Sequence, residues 1–191
     1  LADVIAPGTH PFLRNRCYGD APGQVALLAR AVADGLMAGG GLPVLKHIPG
    51  HGRAVVDSHL DLPLVGADAE TLEQVDFAPF RALSDLPMAM TAHVVYRAFD
   101  DLPATLSPLV MARIRRDIGF DGLIMSDDIS MKALSGAPAD LGRAAIAAGC
   151  DVVLHCNGAL DEKRAVAAAA GPLTGAALRR ADAAIAARQA P

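Results

Sequence analysis

Four short runs of almost unbroken Val, Leu, Ile and Met punctuate the chain, and each gives way to polar residues. They are LPVLKHIPGHG (42–52), LPMAMTAHVVY (86–96), DGLIMSDDIS (121–130) and CDVVLHCNG (150–158). Continuous apolar content suits strands covered on both faces, as in a parallel sheet, better than the alternation of a half-exposed antiparallel one. Helical patterns fill the intervals. Pro22 opens a segment in which Val25, Leu28, Val32 and Leu36 form one stripe, and glycines 39–41 stop it. Ser107 and Pro108 read as a cap and first-turn proline. Val110, Ile114 and Ile118 then recur at i+4, and Gly119 ends the element. Segments 139–148, 162–170 and 175–188 are further helices, and Leu1–Ile5 has the character of the tail of an earlier strand.

Alternating helix and strand predicts repeated βα units, hence an α/β fold that is either a doubly wound sheet or part of a (β/α)₈ barrel. No Gly-x-Gly-x-x-Gly follows a strand and no Walker-type Gly-Lys-Ser/Thr is present, so nucleotide binding has no support. The polar residues select the barrel. Lys46-His47, His93, Ser126-Asp127-Asp128 and His155-Cys156-Asn157 all stand at the C-terminal ends of their strands, where barrel enzymes gather chemistry from several strands. A (β/α)₈ barrel takes roughly 250 residues. With 191 residues and four complete units, the expectation is about half of a TIM barrel, as one domain over 1–191.

Composition narrows the partners. Hydrophobic residues make up 52% and charged residues 20%, which describes globular material rather than a disordered chain. Lys plus Arg number 17 against 21 acidic residues, with no basic face to follow phosphates, so nucleic acid is not an expected partner. No apolar run reaches the ~18 to 20 residues of a membrane span. The three cysteines, Cys17, Cys150 and Cys156, suggest a reducing compartment, with Cys150 and Cys156 read as buried small hydrophobes. Met88, Met90, Met125 and Met131 are expected to fill the core.

Two constellations carry candidate chemistry. Lys46-His47-Ile-Pro-Gly-His51-Gly runs on to Asp57-Ser58-His59: a cation and an imidazole at a strand end can donate to a polyhydroxylated ligand, and Pro and Gly then release a loop. A carboxylate beside an imidazole fixes its tautomer and favours its charged form, which makes a general acid near neutrality. In Ser126-Asp127-Asp128, two adjacent carboxylates at a buried strand's mouth are costly to desolvate, so a purely structural role would require strong pairing. Neighbours in a strand point opposite ways, so one can face a pocket while the other anchors the loop. His93 and His155, with Asn157, read equally as packed rim residues or as ligand contacts.

KHIPGHG followed by DSH, then SDDISM, then DVVLHCNG, together with the opening ADVIAPGTHPFLRNRCYG, resemble the bacterial peptidoglycan-recycling β-N-acetylhexosaminidases of glycoside hydrolase family 3. The resemblance runs through essentially the whole chain in the family's order. It implies that Asp127 is the catalytic nucleophile, that Asp57 and His59 form the acid/base dyad, and that Lys46, His47 and Arg16 contact sugar hydroxyls. It further implies a small-molecule substrate, N-acetylglucosamine-containing muropeptide, with no metal or organic cofactor, in the cytoplasm. One departure stands out: the family's earlier strand ending in an Asp-x-Glu-Gly-Gly-Arg-type motif is not in this sequence, so the resemblance implies a TIM barrel of which only the C-terminal half to two thirds is present, with the N-terminal strands missing and the isolated chain inactive. Two other readings stay open. One is a metal-dependent hydrolase using His47, His51, His59, His93 and the Asp127/Asp128 pair, although Ile-Pro-Gly between His47 and His51 is incompatible with one helical face. The other is an inactive half-barrel that serves as a binding or assembly piece.

Overall fold

In the computed structural model, which describes residues 1–188, proline and serine set the helix starts that the sequence predicts. The chain opens with α1 (Pro11–Arg14) and α2 (Pro22–Ala38), then enters β1 (Val44–Ile48) and a short β2 (Leu64–Val65). A broken helical stretch follows, α3 (Ala69–Thr71), a π-turn and α4 (Ala78–Ala82), leading to β3 (Met88–Thr91) and β4 (Val95–Tyr96). Next comes α5 (Pro108–Arg113), capped by the Ser107 hydroxyl, which accepts from the Val110 N–H at 3.0 Å, and extended by a π-turn to Ile118. Gly119 closes it with φ +79°, a left-handed conformation that favours glycine. The last elements are β5 (Leu123–Asp128), α6 (Pro138–Ala148), β6 (Val152–Leu154), α7 (Leu160–Ala170) and α8 (Gly175–Ala186).

β1, β3, β5 and β6 form one parallel sheet in that order. Each pair of successive strands is joined by helices, the connection parallel neighbours require, and neighbours in sequence are neighbours in space, as around a barrel wall. All four expected strands are present, each shorter than its apolar run. The 86–96 run, expected as one strand, is split into β3 and β4, and β2 was not anticipated; β2 and β4 pair in parallel just beyond β1 and β3. Leu1–Ile5 is not a strand, but the Ala2 N–H donates to the Lys46 carbonyl at 2.8 Å, laying this segment along β1.

Alternation along the strands separates two faces. Leu45, Ala89, Ile124 and Ser126 are buried under the helices. Lys46, Met88, Met90 and Met125, on the other face, are only half-buried, so three methionines expected in the core line the concave side instead, and Met131 alone of the four is buried. α2 departs from expectation in a related way. It turns the small residues Val25, Ala29 and Ala33 to the core, which lets the helix approach closely, while Leu28, Val32 and Leu36 are 39%, 46% and 50% exposed. At the opposite end, Asp151 receives the Ile124 N–H at 2.8 Å, Arg115 at 2.6 Å and Arg180 at 3.1 Å, fastening α8 beneath the sheet. No helix among the described residues is long and apolar enough to cross a membrane.

Candidate active site

Strand register sets the site's floor. Lys46 pairs with Met90 and Met90 with Met125, so the three form one row across the concave face. Asp127, two residues beyond Met125, projects from that same face at the strand's C-terminal end. Asp128 is turned away and fully engaged: its Oδ1 accepts from the N–H groups of Ser130 and Cys156, both at 3.0 Å, and its Oδ2 from Ser130 Oγ at 2.7 Å and Asn157 Nδ2 at 3.2 Å. Burial works to raise its pKa, but these donors together hold the carboxyl below its usual value. One of the adjacent carboxylates faces the cavity and the other anchors the loop, through Ser130, Cys156 and Asn157 rather than a cation.

A residue the sequence reading did not single out organises the Lys46-His47 strand end. Asp3 is wholly buried. Its Oδ2 accepts from His47 Nδ1 at 2.9 Å, its Oδ1 from the His51 N–H at 2.7 Å, and both oxygens are 3.2 Å from the His47 N–H. Burial opposes ionisation here, yet the paired histidines keep the carboxyl below its ordinary value. With Nδ1 held, His47 has Nε2 left for a ligand. The signal for Asp3 was a lone acid in an apolar opening segment.

From Pro49 the chain leaves the sheet as a loop whose root is locked. Tyr96 donates its hydroxyl to the Gly50 carbonyl at 2.6 Å, Arg53 Nε donates to Asp76 at 2.7 Å, and a Cβ on Gly52 would stand 1.7 Å from the Val4 carbonyl oxygen. The tip carries Asp57-Ser58-His59. Asp57 Oδ1 accepts both the His59 N–H at 2.9 Å and its Nδ1–H at 2.7 Å; desolvation is the largest single influence and raises the Asp57 pKa, but these bonds and the His59 charge together lower it. The His59 ring meets the Phe12 ring edge-on at 4.7 Å, and the Arg16 guanidinium lies 4.9 Å from that same ring. Ser58 Oγ is 3.2 Å from His51 Nε2. The carbonyls of Ser58 and His59 accept from the N–H groups of Ala133 and Lys132 at 3.3 and 3.4 Å, joining this loop to the segment after Asp127-Asp128.

These elements converge on a cavity of about 230 Å³. Arg16, Lys46, His47, His59 and Asp127 line it, and Phe12, His51 and Ser58 complete its wall. Asp57 acts from behind His59. Two larger hollows, about 560 and 550 Å³, lie at the strands' N-terminal ends beside α8, the end of a barrel associated with stability.

The glycosyl hydrolase family 3 N terminal domain model matches residues 1–186. The chain belongs to glycosyl hydrolase family 3. A β-hexosaminidase of Neisseria meningitidis serogroup C is 47% identical over 155 residues, 78% of this chain and 43% of that protein. The chain therefore spans under half the length of such family 3 relatives. A family 3 β-N-acetylglucosaminidase from Paenibacillus superposes with a TM-score of 0.89 at 30% identity, covering 98% of this chain and 39% of that one. NagZ of Neisseria gonorrhoeae in complex with N-trifluoroacetyl-D-glucosamine superposes with a TM-score of 0.82 at 36% identity, covering 96% and 53%. The family's barrel architecture agrees with the parallel, helix-linked sheet described above.

The remaining polar residues at the strand ends are packed. His93 is buried and bonded at both ring nitrogens, and His155 Nε2 donates to the Glu162 carboxylate at 2.6 Å. Cys156, expected to be buried, is exposed because β6 ends at Leu154 and the chain turns outward. Among the described residues, no group of three or more His, Cys, Asp or Glu side chains is placed to hold a metal ion. The histidines named for the metal-dependent alternative are divided among Asp3, Ser58, Asp57 and Thr105.

Proposed function

We propose that this chain is the C-terminal portion of a (β/α)₈ glycoside hydrolase barrel, and that the polypeptide carrying it is a retaining β-N-acetylhexosaminidase. Its substrate is terminal β-linked N-acetylglucosamine on peptidoglycan fragments, in the cytoplasm. The observation that carries this reading is the shared cavity of Asp127 and His59, with His59 Nδ1 bound to Asp57. That bond directs Nε2 of His59 to the ligand.

In the first step the Asp127 carboxylate attacks the anomeric carbon. The bond to the leaving oxygen breaks, and His59 Nε2–H delivers a proton to that oxygen. In the second, His59 takes a proton from water, the water oxygen attacks the anomeric carbon, and Asp127 leaves as carboxylate. Lys46 and Arg16 donate hydrogen bonds to the sugar hydroxyls, and His47, its Nδ1 fixed by Asp3, turns Nε2 to them. The complex of NagZ with N-trifluoroacetyl-D-glucosamine supports the choice of sugar. Three free cysteines are in keeping with a reducing compartment. This chemistry draws on no metal or organic cofactor.

The test is covalent trapping. In the full-length polypeptide, a fluorinated slow substrate is expected to label Asp127 in peptide mass spectra, and Asp127→Ala to abolish turnover of an aryl β-N-acetylglucosaminide. Labelling of Asp128 refutes the assignment.

A further inference from the structure

Beneath Asp127, three buried side chains that none of the chemistry above uses form a continuous hydrogen-bonded chain. The Asp127 N–H meets Thr91 Oγ1 at 3.2 Å, Thr91 Oγ1 meets Thr105 Oγ1 at 2.8 Å, Thr105 Oγ1 meets His93 Nδ1 at 2.7 Å, and His93 Nε2 meets the Asp128 carbonyl at 3.1 Å. Thr91, Thr105 and His93 are each 0% exposed. Four segments contribute: β3 with Thr91, the connection from β3 to β4 with His93, the turn before α5 with Thr105, and β5 with Asp127 and Asp128.

The ends of this chain dictate every proton in it. A backbone N–H can only donate and a carbonyl can only accept. His93 must therefore carry its proton on Nε2 to serve the Asp128 carbonyl, which leaves Nδ1 bare as an acceptor. The Ala92 carbonyl also stands 3.2 Å from Thr105 Oγ1, but Thr105 has one hydroxyl proton, and His93 Nδ1, nearer at 2.7 Å, takes it. In the contact between the two threonines, Thr91 must then be the donor, with its oxygen free to receive the Asp127 N–H. One arrangement satisfies all four contacts, and it demands a neutral His93. Burial favours that state, outweighing the attraction of Asp127 and Asp128 for an imidazolium.

We infer that Thr91, Thr105 and His93 are positioning residues that clamp the Asp127–Asp128 backbone from both sides and so aim the Asp127 carboxylate into the cavity. The inference rests on the assignment of Asp127 as nucleophile. Reacting atoms need near-contact geometry, and misplacement by about 1 Å can cost about 100-fold in rate. A hydroxyl in this clamp should consequently act on the chemical step more than on sugar binding, since neither threonine lines the cavity.

The experiment uses the full-length polypeptide and an aryl β-N-acetylglucosaminide whose leaving group needs no protonation, so that kcat reports on the nucleophile. Thr105→Val keeps the side chain's shape and removes its hydroxyl. It should lower kcat by about 10- to 100-fold, while the inhibition constant of N-acetylglucosamine stays within about twofold. Thr105→Ser, which restores the hydroxyl, should recover most of the loss. Independently of any variant, nitrogen NMR of the wild-type protein should show His93 neutral and protonated on Nε2. The inference is overturned by an unchanged kcat in Thr105→Val, by a serine variant no better than the valine one, or by a His93 proton on Nδ1. An active Asp127→Ala enzyme would instead overturn the functional reading itself. Thr105→Val at wild-type rate beside a dead Asp127→Ala overturns the clamp alone.

Discussion

Lowering the pH below about 6.5 should destabilise the protein through His51, and His51→Gln should remove that contribution. His51 is 3% exposed, its ring centroid lies 5.3 Å from that of His47, and its Nδ1 is buried without a partner. Burial first, and the neighbouring His47 second, depress its pKa from 6.5 to about 4. Folded His51 therefore resists a proton that the unfolded chain accepts. The sign follows: its contribution is intact above about pH 6.5 and is lost as the pH falls from there towards 4. At about 1.36 kcal/mol per pH unit, the full difference is about 3 kcal/mol, a large part of the ~5 to 15 kcal/mol that holds a typical domain folded. Urea-unfolding free energies measured at several pH values between 7 and 4.5 isolate the effect. Glutamine can keep a bond to Ser58 but does not titrate, so its own cost is independent of pH. Across that interval the wild type should lose about 2 kcal/mol more than His51→Gln. His93, also held below its ordinary value chiefly by burial, keeps part of the acid slope in the variant. Parallel pH profiles for the two proteins would refute the reasoning.

The other predictions concern catalysis and the extent of the barrel. Because Asp57 reaches the cavity only through His59, the Asp57→Ala/His59→Ala double variant of the full-length polypeptide should be scarcely slower than the worse single variant. In the glycosylation step, read as kcat/KM, His59→Ala should also lose far less on an aryl glycoside with an acidic leaving group than on a natural sugar, and equal losses would remove His59 from the acid role. Expressed alone, this chain should self-associate and show no turnover, since its concave face leaves Met88, Met90 and Met125 half-exposed. Supplying the N-terminal strands of the barrel, in the same chain or as a second one, should restore a monodisperse, active protein. A monodisperse, active monomer of the chain alone would disprove the proposed barrel division.

What could be read from the sequence was whatever depends on local chemistry. The four strands of the main sheet declared themselves as apolar runs, because both of their faces carry apolar side chains and leave no polar alternation to confuse. Ser107-Pro108 and Gly119 marked a helix because capping and left-handed geometry belong to single residues. The Asp57–His59 contact was legible because two residues separate the partners, and the division of labour between Asp127 and Asp128 because adjacent residues in a strand face opposite ways. Tertiary structure decided the rest, where partners are remote in sequence. Asp3 meets His47 and His51 across more than forty residues, and His93 reaches the Asp128 carbonyl thirty-five residues away. α2 carries two apolar stripes, and only packing in the folded chain, against α4 and the buried core, selects Val25, Ala29 and Ala33 over the larger Leu28, Val32 and Leu36. Helical period alone does not distinguish them, since both stripes repeat at i+4 and the choice lies in the space the packed neighbours leave.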